Sequence, residues 1–138
     1  MNNIANHSIL IVDDEYEMTT SLKRLLEKNN FQPVVAKDGK RALQILKAQP
    51  VSLVLSDIRM PGMSGLEFME QALSLSIVPP FIFMTAYASV ETAVEALRMG
   101  AVDYIIKPFK LNELLLVINE HLHRFSVETT LFDHKAHL

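Results

Sequence analysis

VLSDIRMPGMSG, Val54 to Gly65, passes from a β-branched apolar run directly into an acid and then into a proline-glycine turn. The run starts slightly earlier, as VSLVLS (51–56), and is apolar almost throughout rather than at alternate positions. That pattern marks a strand buried on both faces of a parallel sheet. A carboxylate at the end of such a strand is costly without a partner, because an unpaired buried charge is strongly disfavoured. Either Asp57 escapes into the turn or it performs chemistry where the strand ends.

Three more segments share the pattern: SILIV (8–12), PFIFM (80–84) and VDYII (102–106). A fifth, QPVVA (32–36), is weaker, and Pro33 suits it to a sheet edge. Between these runs the apolar period becomes helical: Met18, Leu22, Leu25 and Leu26; Ala42, Ile45 and Leu46; Leu66, Met69 and Leu73; Val90, Val94 and Leu97. The last stripe, Leu111, Leu114, Leu115, Ile118, Leu122 and Phe125, is the clearest. Asp38 and Ser89 stand where helix N-caps belong, Glu91 follows Ser89 in the first turn, and Gly100 follows Met99 as a stop. A strand recurs roughly every 20 to 30 residues, as crossover helices between parallel strands require. The expected fold is α/β: a (βα)5 doubly wound five-stranded parallel sheet with helices on both faces. One domain is expected over residues 7–125. Beyond Phe125 the stripe is lost, and residues 126–138 read as a linker or tail.

Composition narrows the function. Of 138 residues 49 % are hydrophobic, enough for one globular core, and the formal charge is −3. An acidic chain has no overall attraction for nucleic acid or anionic lipid, so direct nucleic-acid binding is not expected. Cysteine is absent, which excludes disulfides, thiolate metal clusters and a cysteine nucleophile. No apolar run reaches the ~18 residues of a membrane span, and MNNIANHS lacks a signal pattern, so a cytoplasmic location is expected.

Ligands of open α/β sheets sit outside the carboxyl ends of the strands. Here those ends carry Asp13, Asp14 and Glu15 after the first run, Asp57 after the third, Thr85 after the fourth and Lys107 after the fifth. If the strands take the order 2-1-3-4-5, a common doubly wound arrangement, all of them meet at one rim. Carboxylates gathered closely repel one another unless a counter-charge intervenes. Mg2+ suits that need: it takes oxygen ligands from one or two carboxylates and keeps positions for water and phosphate. Asp14 and Asp57 fit such a pair, with Asp13 acting partly through water. With Lys107 as a fixed cation and Thr85 as a hydroxyl donor, the set suits phosphoryl transfer to an aspartate nucleophile.

VDDE (12–15), SDIRMPGMSG (56–65), MTAYAS (84–89) and DYIIKPF (103–109), in this order and each at a strand end, closely resemble the receiver domain of two-component response regulators. The resemblance implies that Asp57 is the phosphoacceptor for a sensor histidine kinase. It implies that Asp13, Asp14, Asp57 and the backbone carbonyl of Arg59 hold Mg2+, and that Thr85 and Lys107 contact the phosphoryl group. Thr85 and Tyr104 match the family's switch pair, and Lys107–Pro108 its cis peptide. Arg59 and Tyr87 match the positions that tune hydrolysis of the acyl phosphate; both are bulky, so a long-lived phosphoprotein is expected. The face of helix four, strand five and helix five is implied to signal and to form a homodimer, with an output domain beyond residue 138 controlling transcription. TAYASVETAVEALRMGAVDYIIKPF with LNELLLVI is most similar to receivers of sigma-54-dependent (NtrC-like) activators.

Taken singly, these residues have blander readings: Asp13 and Asp14 as caps, Asp57 as a turn residue, Thr85 as a strand-end hydroxyl, Lys107 as a solvated lysine, Tyr104 as core. Other functions fit less well. Aspartate-nucleophile phosphatases place the nucleophile after strand one in a D-x-D spacing, which DDEY does not match. A flavodoxin would need a Ser/Thr/Gly phosphate loop there, and a degenerate binding module would lack at least one of the polar residues.

Overall fold

The computed structural model describes residues 7–86 and 89–122. Tyr87, His123, Phe125 and the proposed tail 126–138 lie outside the described residues. The chain alternates β1 (Ser8–Val12), α1 (Tyr16–Lys28), β2 (Gln32–Ala36), α2 (Gly39–Ala48), β3 (Leu53–Asp57), α3 (Gly65–Ala72), β4 (Phe81–Thr85), α4 (Val90–Arg98) and β5 (Asp103–Ile106). A fifth helix, α5, occupies residues 111–122. All neighbouring strands are parallel, in the order β2-β1-β3-β4-β5, so the expected topology is what the chain adopts. Pro33 sits in the edge strand β2. β3 and β4 are buried at every position, which explains why their sequences do not alternate.

Successive strand side chains point to opposite faces, and the two cores follow that alternation. Ile9, Ile11, Leu53, Leu55, Ile82 and Met84 pack with α1 and α5, through Leu22, Leu26, Leu114 and Ile118. Leu10, Val12, Val54, Phe81 and Phe83 pack with α2, α3 and α4, through Ala42, Ile45, Phe68, Met69 and Ala96. The tilted rings of Phe68 and Phe81, 5.2 Å apart at their centroids, pin α3 to the sheet. Continued to the strand ends, the period puts Asp13, Asp57 and Lys107 on the α1/α5 side, and Thr85 on the α4 side with Tyr104, which packs against that core.

Several local expectations need correction. β3, β4 and β5 were expected over 51–56, 80–84 and 102–106, but start and, for β3 and β4, end later. The ladder pairs Asp57 with Met84 and Thr85 with Ile106, so the polar ends belong to the strands. In α3 the buried face is Phe68, Met69 and Ala72, and Leu73 is largely exposed, because the Phe68–Phe81 contact sets the helix rotation. In α4 the expected apolar stripe faces out: Val90, Val94 and Leu97 are 80 %, 40 % and 51 % exposed, and the fully buried residue is Ala96. A small side chain at the contact lets the helix lie close to the sheet, and the larger apolar groups turn to solvent. Leu111 is likewise exposed at the start of α5. The caps behave as expected: Asp38 accepts from the Arg41 N–H at 2.8 Å and Ser89 from the Thr92 N–H at 3.1 Å.

Candidate phosphoacceptor site

At the carboxyl end of the sheet, Lys107 crosses from beyond β5 to the ends of β3 and β1. Its Nζ donates to Asp13 Oδ2 at 2.8 Å, Glu15 Oε1 at 3.0 Å and Asp57 Oδ2 at 3.3 Å. Asp13, Asp57 and Lys107 are buried, whereas Asp14 and Glu15 are open to solvent. The other oxygen of Asp13 accepts the Glu15 N–H at 2.9 Å, and Asp57 Oδ1 accepts the Arg59 N–H at 3.3 Å. Arg59, whose carbonyl is the expected cation ligand, thus also presents its N–H to Asp57. An open cleft of about 540 Å³ leads to Asp57 past Asp14, Glu15, Arg59, Met60, Pro61 and Ser64.

The elements fix this arrangement from two sides. Gly65, the first residue of α3, donates its N–H to the Ile58 carbonyl at 2.7 Å, folding the 58–65 loop back onto the end of β3. Ser64 caps α3 in a reciprocal capping box with Glu67. On the far side the Lys107 N–H donates to the Thr85 carbonyl at 2.8 Å, which continues the β4–β5 ladder to the lysine, and the Lys107–Pro108 peptide is cis. Thr85 itself is fully buried. Tyr104 is half-buried, and its hydroxyl lies 3.2 Å from Thr92 Oγ1 on α4.

Burial pushes the Asp57 carboxyl above the ordinary aspartate range; the Lys107 charge opposes this and the Asp13 charge adds to it. For Lys107 burial works against the ammonium, but hydrogen bonds to Asp13 and Glu15 and the charges of Asp13 and Asp57 outweigh it and hold its pKa above the ordinary lysine value. One oxygen each of Asp13, Asp14 and Asp57 lie within 4.8 Å of one another. At that distance two unit charges repel by about 3.5 kcal/mol at an effective dielectric near 20. Four carboxylates against the Lys107 ammonium and the Arg59 guanidinium leave the site with an excess of formal negative charge. This all-oxygen donor set, with its open side and excess of negative charge, fits a hard divalent cation.

Two contacts were not expected. Glu15 was placed at the rim but given no partner. His121, assigned no role, lies 3.0 Å from Asp103 Oδ2, while Asp103 Oδ1 accepts the Tyr104 N–H at 2.8 Å. The adjacency of Glu15 to Asp13 was the available signal for the first; no local pattern announces the second, which joins residues 18 apart.

Fold and rim together define a doubly wound α/β domain whose acids and lysine converge where the strands end. The chain belongs to the response regulator receiver domain family, whose pattern matches residues 9–119. It is 45 % identical over 118 residues to the Regulatory protein AtoC of Escherichia coli K12, covering 86 % of this chain and 26 % of the relative. With the Transcriptional regulatory protein ZraR of Escherichia coli K12 it shares 39 % identity over 127 residues, covering 90 % and 29 %. The beryllofluoride-activated NtrC4 receiver domain dimer superposes with a TM-score of 0.80 at 31 % identity, covering 86 % of this chain and 98 % of that one. The chain thus spans under a third of the length of these curated relatives. Among the described residues no helix is long and apolar enough to cross a membrane.

Proposed function

We propose that the chain takes a phosphoryl group from a sensor histidine kinase onto Asp57 and signals its presence through the α4-β5-α5 face. The observation that carries this reading is the Lys107 ammonium held within 3.3 Å of Asp57 and 2.8 Å of Asp13. Asp57 Oδ forms the new O–P bond as the P–N bond of the donor phosphohistidine breaks, its electron pair returning to the imidazole. Lys107 then binds a phosphoryl oxygen, and Thr85 donates its hydroxyl to another from the opposite side of the sheet. Asp13, Asp14, Asp57 and the Arg59 carbonyl are the residues that would hold Mg2+, which when bound supplies positive charge to the phosphoryl oxygens. Self-catalysed phosphorylation and dephosphorylation are the chain's only chemistry in this reading. Arg59 and Tyr87 shield the acyl phosphate from water.

Thr85 and Tyr104 form the switch, and Tyr104 gives up its Thr92 contact as it turns inward. Apolar groups exposed on α4 supply the face on which a homodimer forms. The receiver spans residues 7–125, the tail 126–138 links it to an output domain controlling transcription, and the subclass is that of sigma-54-dependent activators. The location is cytoplasmic. The test is intact-mass analysis after incubation with a small phosphodonor and Mg2+. One phosphoryl group, acid-stable and hydroxylamine-labile, is expected on the wild type and none on Asp57→Asn. Steady donor consumption with little adduct would instead indicate a phosphatase.

A further inference from the structure

Two of the three carboxylates that grip Lys107 belong to the proposed cation cup; the third, Glu15, has no part in it. Glu15 is the N-cap of α1, with extended backbone (φ −86°, ψ 112°), yet its side chain makes no capping hydrogen bond. That position favours Ser, Thr, Asp or Asn, whose oxygens satisfy the first N–H groups of a helix. Here the longer carboxylate reaches away from the helix to the lysine. Its backbone is fixed by the same Asp13 that binds the ammonium, so Asp13, Glu15 and Lys107 form a closed ring of contacts of 2.8 to 3.0 Å. The Lys107–Asp57 contact is the longest of the three, at 3.3 Å. The holders also differ in exposure: the Glu15 side chain is 61 % exposed, against 0 % for Asp13 and 8 % for Asp57.

We propose that Glu15 is a positioning residue for phosphoryl acceptance. Its carboxylate keeps the Lys107 ammonium drawn toward Asp13 and releases it when a phosphoryl group on Asp57 claims it. Glu15 suits release because its carboxylate can rehydrate at once, whereas freeing a buried carboxylate would leave it unpaired. The proposal rests on the phosphoacceptor reading, but it concerns how firmly the lysine is held back, not whether Asp57 reacts.

The test uses the full chain with acetyl phosphate at saturating Mg2+, which removes any effect through cation affinity. Glu15→Gln is expected to accelerate phosphorylation about two- to fivefold, the reach of an exposed ion pair. The acceleration is expected to vanish in a Lys107→Ala background, because Glu15 acts through that lysine. In the unphosphorylated protein, the Lys107 Nζ–H resonance is expected to shift on Glu15→Gln. A wild type that gains no phosphoryl group on Asp57 defeats the phosphoacceptor reading itself. A phosphorylated wild type with no acceleration in Glu15→Gln, or with the same acceleration when Lys107 is absent, overturns the role of Glu15 alone. If Lys107→Ala takes up no phosphoryl group, an unmoved Lys107 resonance overturns it on its own.

Discussion

Gly65→Ala tests whether the end of β3 is clamped by the start of α3. A Cβ at position 65 would overlap the Asp57 carbonyl oxygen and lie 2.9 Å from Ile58 Cα and 3.0 Å from the Asp57 carbonyl carbon. All three obstacles are backbone, so no side-chain rotation relieves them, and α3 would have to withdraw from β3 by on the order of 1 Å to reach van der Waals contact. That movement also stretches the 2.7 Å Gly65–Ile58 hydrogen bond. Overpacking costs about 1–3 kcal/mol, and two displaced backbone segments place this case near ~3 kcal/mol. For a chain of this length each kcal/mol lowers the melting temperature by about 2–4 °C, so a loss of about 10 °C is expected by circular dichroism. Gly62→Ala is the control: Gly62 has φ +78° but nothing within 4 Å, so only backbone strain of about 1 kcal/mol applies. Phosphorylation from a small donor is expected to fall in Gly65→Ala, because Asp57 and Arg59 move with the strand end. A Gly65→Ala protein that melts with the wild type, or no lower than Gly62→Ala, would refute the clamp.

The raised pKa of Asp57 means that its proton is held more tightly in the folded chain than in the unfolded one. Stability is then lost as pH rises from the ordinary aspartate value of 3.8 through the folded value, and the cost is in force at neutral pH. Asp57→Asn is therefore expected to raise the melting temperature without divalent cations at pH 7, with the gain shrinking toward pH 4; equal melting at both pH values would contradict the burial of that charge. Mg2+ at about 100 times its dissociation constant is expected to stabilise the wild type by about 2.7 kcal/mol in a thermal-shift titration. Asp13→Asn should lose most of that gain, and a full gain in this variant would exclude Asp13 from the cup. Tyr87→Ala is expected to shorten the lifetime of the phosphorylated protein, measured by intact mass after donor removal; an unchanged half-life removes the shielding role.

The strands were legible because both faces of β1, β3 and β4 are covered, so burial writes itself as continuous apolar runs. The rim was legible because each polar residue interrupts such a run at its end. α4 misled because an exposed apolar stripe and a buried one have the same period; the side that is buried is that of Ala96, a single small residue too weak to mark a stripe. Contacts that depend on how far a side chain reaches, such as Glu15 to Lys107 and His121 to Asp103, leave no periodic trace.

The parity of the strands places Asp13, Asp57 and Lys107 above one helical layer, while Thr85 and Tyr104 belong to the other. In the proposed function the sheet then acts as a partition: a phosphoryl group on the Asp57 side reaches Thr85 and Tyr104 on the other through adjacent strand ends, without any layer having to unfold. Substitutions confined to the α4 side would, on that reading, change what the switch contacts and leave Asp13, Asp57 and Lys107 in place.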